Sequence, residues 1–218
     1  MNCLIVAATT LEIAPFLKEY RQSNRFSNPH PDVQVLVTGV GLTAATYHLT
    51  TQFSILRPSL VIQAGVAGCF DTTRELGSVV TIASDVIADE GVTEQQTLKS
   101  VFDLGLAGPH DFPYKKGRLV NPDKNLLKKN SLKPVTGISV NQVTTSPKTI
   151  RAYREKYNPV TESMEGAALH YVCLREHIPF LQIRALSNYI GERNKKKWKM
   201  GEAIHNLNHT LLRLLETL

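Results

Sequence analysis

Short apolar runs alternate along this chain with segments whose apolar residues recur every three or four positions, the signatures of buried strand and amphipathic helix. Cys3-Leu4-Ile5-Val6-Ala7-Ala8 carries no polar residue and predicts a strand covered on both faces. Leu11, Ala14 and Leu17 predict a helix over residues 11–20. Residues 33–38 predict a second strand, Gly39-Val40-Gly41 a tight turn, and residues 42–56 a second helix. A short strand over residues 60–63 is expected to run into a glycine-rich turn, Gly65-Val66-Ala67-Gly68. Further strands are predicted over residues 79–88, 136–140 and 180–186. A helix over residues 147–157 opens at a proline, and residues 164–176 have helical spacing. The last helix, residues 203–215, sets Ile204, Leu207, Leu211 and Leu215 on one face.

That alternation predicts an α/β fold: one domain over residues 1–218, a three-layer sandwich with a central mixed, largely parallel sheet and helices on both faces. Residues 95–133 are the least patterned stretch and read as mobile loops or a lid. Ligands of such sheets bind beyond the carboxyl ends of the strands. The positions just past the apolar runs are dominated by glycine and small polar residues, with Glu12, Asp89-Glu90 and Ser187-Asn188 among them. That is the composition of an active-site rim.

Composition narrows the partners. The net charge of +6 comes from 25 basic and 19 acidic residues, with clusters at Lys124/Lys128/Lys129/Lys133 and Arg193/Lys195/Lys196/Lys197/Lys199. Neither cluster is interleaved with aromatic residues, so they read as solvated surface and no nucleic-acid partner is expected. No apolar stretch is long enough to span a bilayer, and the N-terminus reads as a core strand, not a signal peptide. Cys3, Cys69 and Cys173 lie far apart in apolar surroundings, the pattern of buried reduced thiols in a cytoplasmic protein. No ligand cluster for a metal or organic cofactor is offered.

Three motifs carry chemistry, each with a plainer alternative. Gly39-Val40-Gly41-Leu42-Thr43-Ala44 matches a dinucleotide fingerprint, yet Arg57 and Leu60 stand where its ribose-binding acid belongs. A tight strand-to-helix turn is the better reading. Glu12, after Thr9-Thr10, is either a first-turn helix acid or a general base at the mouth of the sheet. In Ser163-Met164-Glu165-Gly166-Ala167-Ala168, small residues leave the Glu165 carboxylate room to face vicinal hydroxyls. A helix cap by Ser163 is the alternative there.

Taken in order, Glu12, Gly39-Val40-Gly41, Gly65-Val66-Ala67-Gly68, Met164-Glu165-Gly166-Ala167-Ala168 and Arg184-Ala185-Leu186-Ser187-Asn188 resemble the nucleoside phosphorylase/nucleosidase superfamily. The likeness is collinear over nearly the whole chain. It looks closest to the branch holding methylthioadenosine/S-adenosylhomocysteine nucleosidase and futalosine hydrolase. The resemblance implies that Glu12 activates the attacking water and that Gly65, Val66, Ala67 and Gly68 line the ribose and the water. It further implies that the backbone of Val143 and Thr144 borders the purine, that Met164 and Glu165 bind the ribose, and that Ser187 and Asn188 face the N7 side of the base. The implied enzyme is a homodimer or larger homo-oligomer without cofactor.

The departures from the family pattern sharpen the expectation. Adenine-specific relatives carry Asp where this chain has Asn188. An amide has no transferable proton, but it can donate to a 6-carbonyl, so a 6-oxopurine is the expected leaving base. Futalosine hydrolases resemble this chain in Arg-x-x-Ser-Asn and a downstream Trp, here Trp198, and release hypoxanthine on the way to menaquinone. The turn at Ala8-Thr9-Thr10-Leu11-Glu12 has neither a Gly-rich loop nor an Arg for phosphate. Water is therefore the expected nucleophile, unless Arg21, Arg25 or Arg74 reaches in from elsewhere. Arg193 or Lys195–Lys197 is a candidate for a carboxylate on the 5′ side, against the plainer reading of a solvated run. The alternatives are methylthioadenosine/S-adenosylhomocysteine nucleosidase, another purine nucleoside hydrolase or phosphorylase, and a non-catalytic sensor, the last disfavoured because Glu12 and Glu165 are both present.

Overall fold

An unbroken apolar run makes β1 (Asn2–Ala7) a central strand, and every residue of it after Asn2 is buried. The computed structural model describes residues 2–22, 32–95 and 97–217. After β1 come α1 (Thr10–Gln22), β2 (Asp32–Val37), α2 (Leu42–Ile55), β3 (Leu60–Cys69), β4 (Val79–Asp85), β5 (Gly91–Glu94) and β6 (Thr97–Ser100). Then follow β7 (Leu119–Val120), α3 (Lys124–Lys129), β8 (Pro134–Ser139), α4 (Pro147–Tyr157), β9 (Thr161–Ser163), α5 (Gly166–Arg175), β10 (Phe180–Tyr189) and α6 (Met200–Thr217).

The alternation of side chains along β1 builds the two outer layers. Cys3, Ile5 and Ala7 pack with Ile13 and Phe16 of α1 and with Leu207 and Leu211 of α6. Leu4 and Val6 pack on the other face with Leu49 and Phe53 of α2 and with Leu169 and Val172 of α5. This is the expected three-layer α/β sandwich. Its sheet is mixed and largely parallel: β1–β2, β1–β3, β3–β10, β4–β8 and β8–β9 are parallel, while β4–β10, β3–β9 and β4–β7 are antiparallel. Among the described residues no helix is long and apolar enough to cross a membrane.

The sheet is not open, however. β3 pairs β1 through Leu60–Gln63 and β9 through Gly68 and Cys69, so β3, β10, β4, β8 and β9 close a ring. This corrects the expectation of a turn at Gly65-Val66-Ala67-Gly68, which forms the second half of a ten-residue strand. The glycines serve close approach, not chain reversal: a Cβ at Gly65 would collide with Nη1 of Arg184, and one at Gly68 with Cδ1 of Ile190. Three smaller differences follow. β4 stops at Asp85, beyond which only Ile87 bridges to Ser139. Met164 and Glu165 precede α5 instead of lying in it. The stretch read as loops holds β6, β7 and α3.

Candidate active site

Beyond the carboxyl ends of β1, β3, β9 and β10 lies a cavity of about 310 Å³, where an α/β sheet places its ligand. Glu12, Val66, Ala67 and Gly68 line it, as do Val143, Met164, Glu165, Ser187 and Asn188. Two expected lining residues stand behind the wall. At Gly65 a Cβ would meet Arg184 Nη1 and Glu12 Oε1, so its bareness gives those two side chains room. Thr144 is buried with its N–H donated to Glu162 Oε1 at 2.9 Å. A larger cavity of about 910 Å³ lies elsewhere, beside Phe112 and His177. Its one acid, Asp123, is engaged in capping α3, which leaves it without the carboxylates that distinguish the smaller one.

Glu12 is a first-turn acid of α1 and also reaches the mouth of the sheet. Oε2 accepts from the Thr9 N–H at 3.0 Å and the Thr9 hydroxyl at 2.9 Å, while the Glu12 N–H approaches Thr9 Oγ1 at 3.4 Å. That is a capping box at the start of α1. Oε1 is turned the other way and accepts the Val66 N–H at 3.0 Å. The carboxylate thus bridges the first helix and the strand that lines the cavity, fixed by three donors. Beneath it, the Asn208 amide of α6 donates to the Glu12 carbonyl at 2.8 Å and accepts the Phe16 N–H at 2.9 Å. The bridge spans the turn that contains Pro15, where α1 loses a backbone donor.

Glu165 is not a cap for its own helix; Ser163 Oγ takes that role, accepting the Gly166 N–H at 3.2 Å. The Glu165 carboxylate instead accepts the Gly41 N–H at 3.0 Å. The Gly39-Val40-Gly41 turn, with φ of 79° at Gly39 and 99° at Gly41, thereby presents a backbone donor to the ribose-binding candidate. Burial pushes the Glu165 carboxyl up, and Arg184 and the Gly41 N–H oppose the rise.

Asn188 is held from both sides. The Ser187 hydroxyl donates to its Oδ1 at 2.8 Å, and its Nδ2 donates to the Tyr189 carbonyl at 3.1 Å. The fixed Oδ1 sets the amide's sense and leaves the second Nδ2 proton for a ligand. Arg193 and Trp198 complete this side, with the guanidinium 5.8 Å from the indole centroid. Lys197 and Lys199 do not line the cavity and pair with Glu192 and Glu202 at 2.8 and 3.2 Å.

Over residues 7–216 the sequence matches the family model described as the phosphorylase superfamily. The chain belongs to that superfamily. It is 28% identical to a futalosine hydrolase of Thermus thermophilus over 183 residues, which cover 83% of this chain and 80% of that one. It is 26% identical to a 5′-methylthioadenosine/S-adenosylhomocysteine nucleosidase of Psychromonas ingrahamii over 186 residues, 82% of this chain and 78% of that one. Among solved structures, the fold is similar to that nucleosidase from Helicobacter pylori bound to butyl-thio-DADMe-Immucillin-A, with a TM-score of 0.80, 16% identity and coverage of 100% and 99%. It is also similar to the native futalosine hydrolase of Helicobacter pylori, with a TM-score of 0.77, 16% identity and coverage of 100% and 98%.

Within this phosphorylase-superfamily fold, three polar residues that had no assigned role in the sequence reading hold or line the site. Arg184 is fully buried, donating to Gln63 Oε1 at 2.8 Å and Gln182 Oε1 at 3.1 Å. Gln182 in turn donates to Asp85 at 3.0 Å. Asn208 sat unnoticed within the amphipathic pattern of the last helix. Glu162, buried on the three-residue β9, lines the cavity with its carboxyl raised by burial. Arg74 pairs with Asp71 at 3.1 Å, whereas Arg25 and the side chain of Arg21 lie outside the described residues.

Proposed function

We propose that this protein hydrolyses the N-glycosidic bond of a 6-oxopurine nucleoside, futalosine, and releases hypoxanthine. The observation that carries the reading is Asn188, an amide held by Ser187 in the same cavity as two carboxylates, Glu12 and Glu165. Similarity to three futalosine hydrolases supports the substrate. Glycosidic cleavage passes through an oxocarbenium-like sugar cation. Glu165 accepts from the ribose hydroxyls and lends a negative field to that cation. Glu12 orients water at the anomeric carbon and takes its proton. Nδ2 of Asn188 donates to O6 while electrons flow into the ring, a fixed-dipole role. Because an amide gives up no proton, the base departs as a stabilised anion or is protonated by water.

Hydrolysis is favoured over phosphorolysis because the turn after β1 has neither a Gly-rich loop nor an Arg to hold a phosphate. The Thr9 N–H and hydroxyl are both committed to Glu12, so that turn leaves neither for a phosphate. Residues 1–218 act in this reading as one catalytic domain serving menaquinone synthesis. Its three buried free thiols fit a reducing cytoplasm. Exposed Val40 and Tyr47, beside the Gly41 turn, fit burial in a homodimer or larger homo-oligomer.

The test incubates the protein with futalosine, inosine and 5′-methylthioadenosine, with and without phosphate, and follows free base by chromatography. Hypoxanthine from futalosine without phosphate is expected. Adenine release instead would assign the 5′-methylthioadenosine/S-adenosylhomocysteine nucleosidase activity of the other relatives, and a phosphate requirement would make the protein a phosphorylase.

A further inference from the structure

Two neutral amides hold the buried guanidinium of Arg184. Its Nε donates to Gln182 Oε1 at 3.1 Å and its Nη2 to Gln63 Oε1 at 2.8 Å. Glu165 Oε2 stands off at 3.8 Å from Nη1, beyond hydrogen-bond reach. Register brings the four groups together: Gln182 pairs with Gln63, and Arg184 with Gly65, across β10 and β3. Residues two apart on a strand share a face, so the glutamine row lies on the face that carries Arg184. The restraint matters for chemistry. A guanidinium released from its glutamines would close on Glu165 as a direct ion pair and take up the oxygens that ribose hydroxyls need.

An amide can hold a guanidinium in one sense only. Arginine offers donors alone, so Gln182 must turn Oε1 toward it and Nε2 away. Nε2 finds its acceptor in Asp85 Oδ2 at 3.0 Å. Asp85 is buried at the end of β4, and its Oδ1 accepts the Val86 N–H at 2.8 Å and the Ser139 hydroxyl at 3.0 Å. Donors thus meet both of its oxygens. Gly166 packs on this joint, since a Cβ there would collide with Asp85 Oδ2 and Gln182 Oε1. The residue after Glu165 therefore rests on the hydrogen bond that orients the amide.

We infer that Asp85 is a positioning residue for the glycosidic reaction: by fixing the sense of the Gln182 amide it keeps Arg184 off Glu165. The inference rests on the reading of Glu165 as the ribose-binding carboxylate. It adds to the residues that govern turnover one that does not line the cavity. An asparagine cannot take the place of Asp85. If its oxygen faces Gln182, its NH₂ meets the Val86 N–H and the Ser139 hydroxyl; if its NH₂ faces Gln182, that amide must turn a donor toward Arg184. Asp85→Asn combined with Gln182→Glu restores every pairing. The new amide keeps its oxygen for Val86 and Ser139 and donates to the new carboxylate, whose other oxygen accepts from Arg184.

The experiment is steady-state hydrolysis of futalosine by wild type, Asp85→Asn and Asp85→Asn/Gln182→Glu, with urea unfolding of each and inhibition by free hypoxanthine. Asp85→Asn is expected to lose at least about tenfold in kcat/KM per folded molecule, the worth of one hydrogen bond to a charged group. The inhibition constant of hypoxanthine, which carries no ribose, should stay within about twofold. The double variant should return to within about threefold of wild type, because the two changes are coupled. A merely structural Asp85 would lower the unfolding free energy and leave kcat/KM of the folded enzyme unchanged, and that result overturns the assignment. So does a double variant as slow as Asp85→Asn, which would mean that Asp85 does not act through Gln182. Should Asp85→Asn fail to fold, the double variant decides on the same criterion. A wild type that cleaves 5′-methylthioadenosine and not futalosine overturns the substrate reading alone, and the same variants are then assayed on that nucleoside, which carries the same ribose hydroxyls. A wild type that cleaves neither overturns the ribosyl reading and the assignment with it.

Discussion

Arg184 Nη1 stands 3.8 Å from Glu165 Oε2, with the side chains 2% and 7% exposed. The guanidinium is fixed from behind by Gln63 and Gln182, and Gly65 gives it room beside Glu12. Among the described residues it is the one buried Arg or Lys, set beside the two carboxylates of the proposed chemistry. Removing one member of a buried pair leaves its partner's charge uncompensated, at roughly 3–5 kcal/mol. Arg184→Met should therefore lower the unfolding free energy by about that amount. Glu165→Gln combined with Arg184→Met should recover part of the loss, because the uncompensated charge is gone. A denaturant-unfolding cycle over the four proteins measures the coupling; additivity of the two losses would show that the pair is not coupled.

Glu12 divides its two oxygens between a helix cap and β3, and the division predicts a split effect. Glu12→Gln keeps an oxygen for the Val66 N–H but turns an NH₂ toward the Thr9 donors. The expected stability cost is about 1 kcal/mol, that of a weakened cap. The loss in kcat should be far larger, about 10²–10⁴-fold, as for removal of a general base. Thr9→Val disturbs the cap and leaves the base in place, so it should reproduce the stability cost with a much smaller fall in kcat. Equal falls in kcat for the two variants would mean that Glu12 acts only through the cap.

The strands and helices legible in the sequence were those whose burial is written into a local apolar pattern. β1 and α6 announced themselves because an unbroken run and a stripe at helical spacing are local patterns. β9 is three residues long and Thr-Glu-Ser carries no apolar period, so nothing local marks it as a strand. Its place is set by β3 and β8, both distant in sequence. The same holds for Gly65-Val66-Ala67-Gly68. Glycine is a turn former in isolation, and only the buried Arg184 on the neighbouring strand reveals that the residue is needed for clearance. The site was legible where chemistry sits next to a strand end, as with Glu12, Glu165 and Asn188. The parts played by Glu162, Arg184 and Asn208 were not, Arg184 appearing only as a motif position, because an acid, a base and an amide inside elements look the same whether they face solvent or a buried network.

Asn208 holds the main chain under Glu12 through two buried hydrogen bonds and also donates to the carbonyl of Ile204, a residue of its own helix that lines the cavity, at 2.6 Å. Asn208→Ala leaves the Phe16 N–H without this acceptor and the Glu12 carbonyl without this donor, at about 1–3 kcal/mol for each group left unsatisfied. The thermal midpoint should fall by several degrees. Because the change acts on the position of the general base, kcat should fall while KM stays within about twofold. Asn208→Asp restores the acceptor alone and should recover the Phe16 half of the stability. A rise in KM with kcat intact would show that Asn208 shapes substrate binding instead.

His170 predicts how stability depends on acid. It is fully buried on α5, with Nδ1 donating to the Leu119 carbonyl at 2.9 Å and Nε2 without a partner. Its ring lies edge-on to Phe180 with centroids 4.6 Å apart. Burial pushes its pKa down to about 4, with Asp85 and the Leu119 bond opposing. The folded protein thus refuses a proton that the unfolded chain accepts near the ordinary pKa of about 6.5. The stabilisation is complete above that value and is lost as pH falls toward 4, by about 3 kcal/mol in all. Glu162 and Glu165 act in the opposite sense, because their raised carboxyls favour the folded state on acidification, so the wild-type curve alone does not isolate the histidine. His170→Asn keeps a donor for Leu119 and takes up no proton. It should be less stable than wild type at pH 8 through the lost ring, and the gap should close as the pH approaches 4. Urea unfolding at pH 4, 5, 6.5 and 8 reads the difference; a gap independent of pH would mean that His170 titrates alike in the folded and unfolded chains.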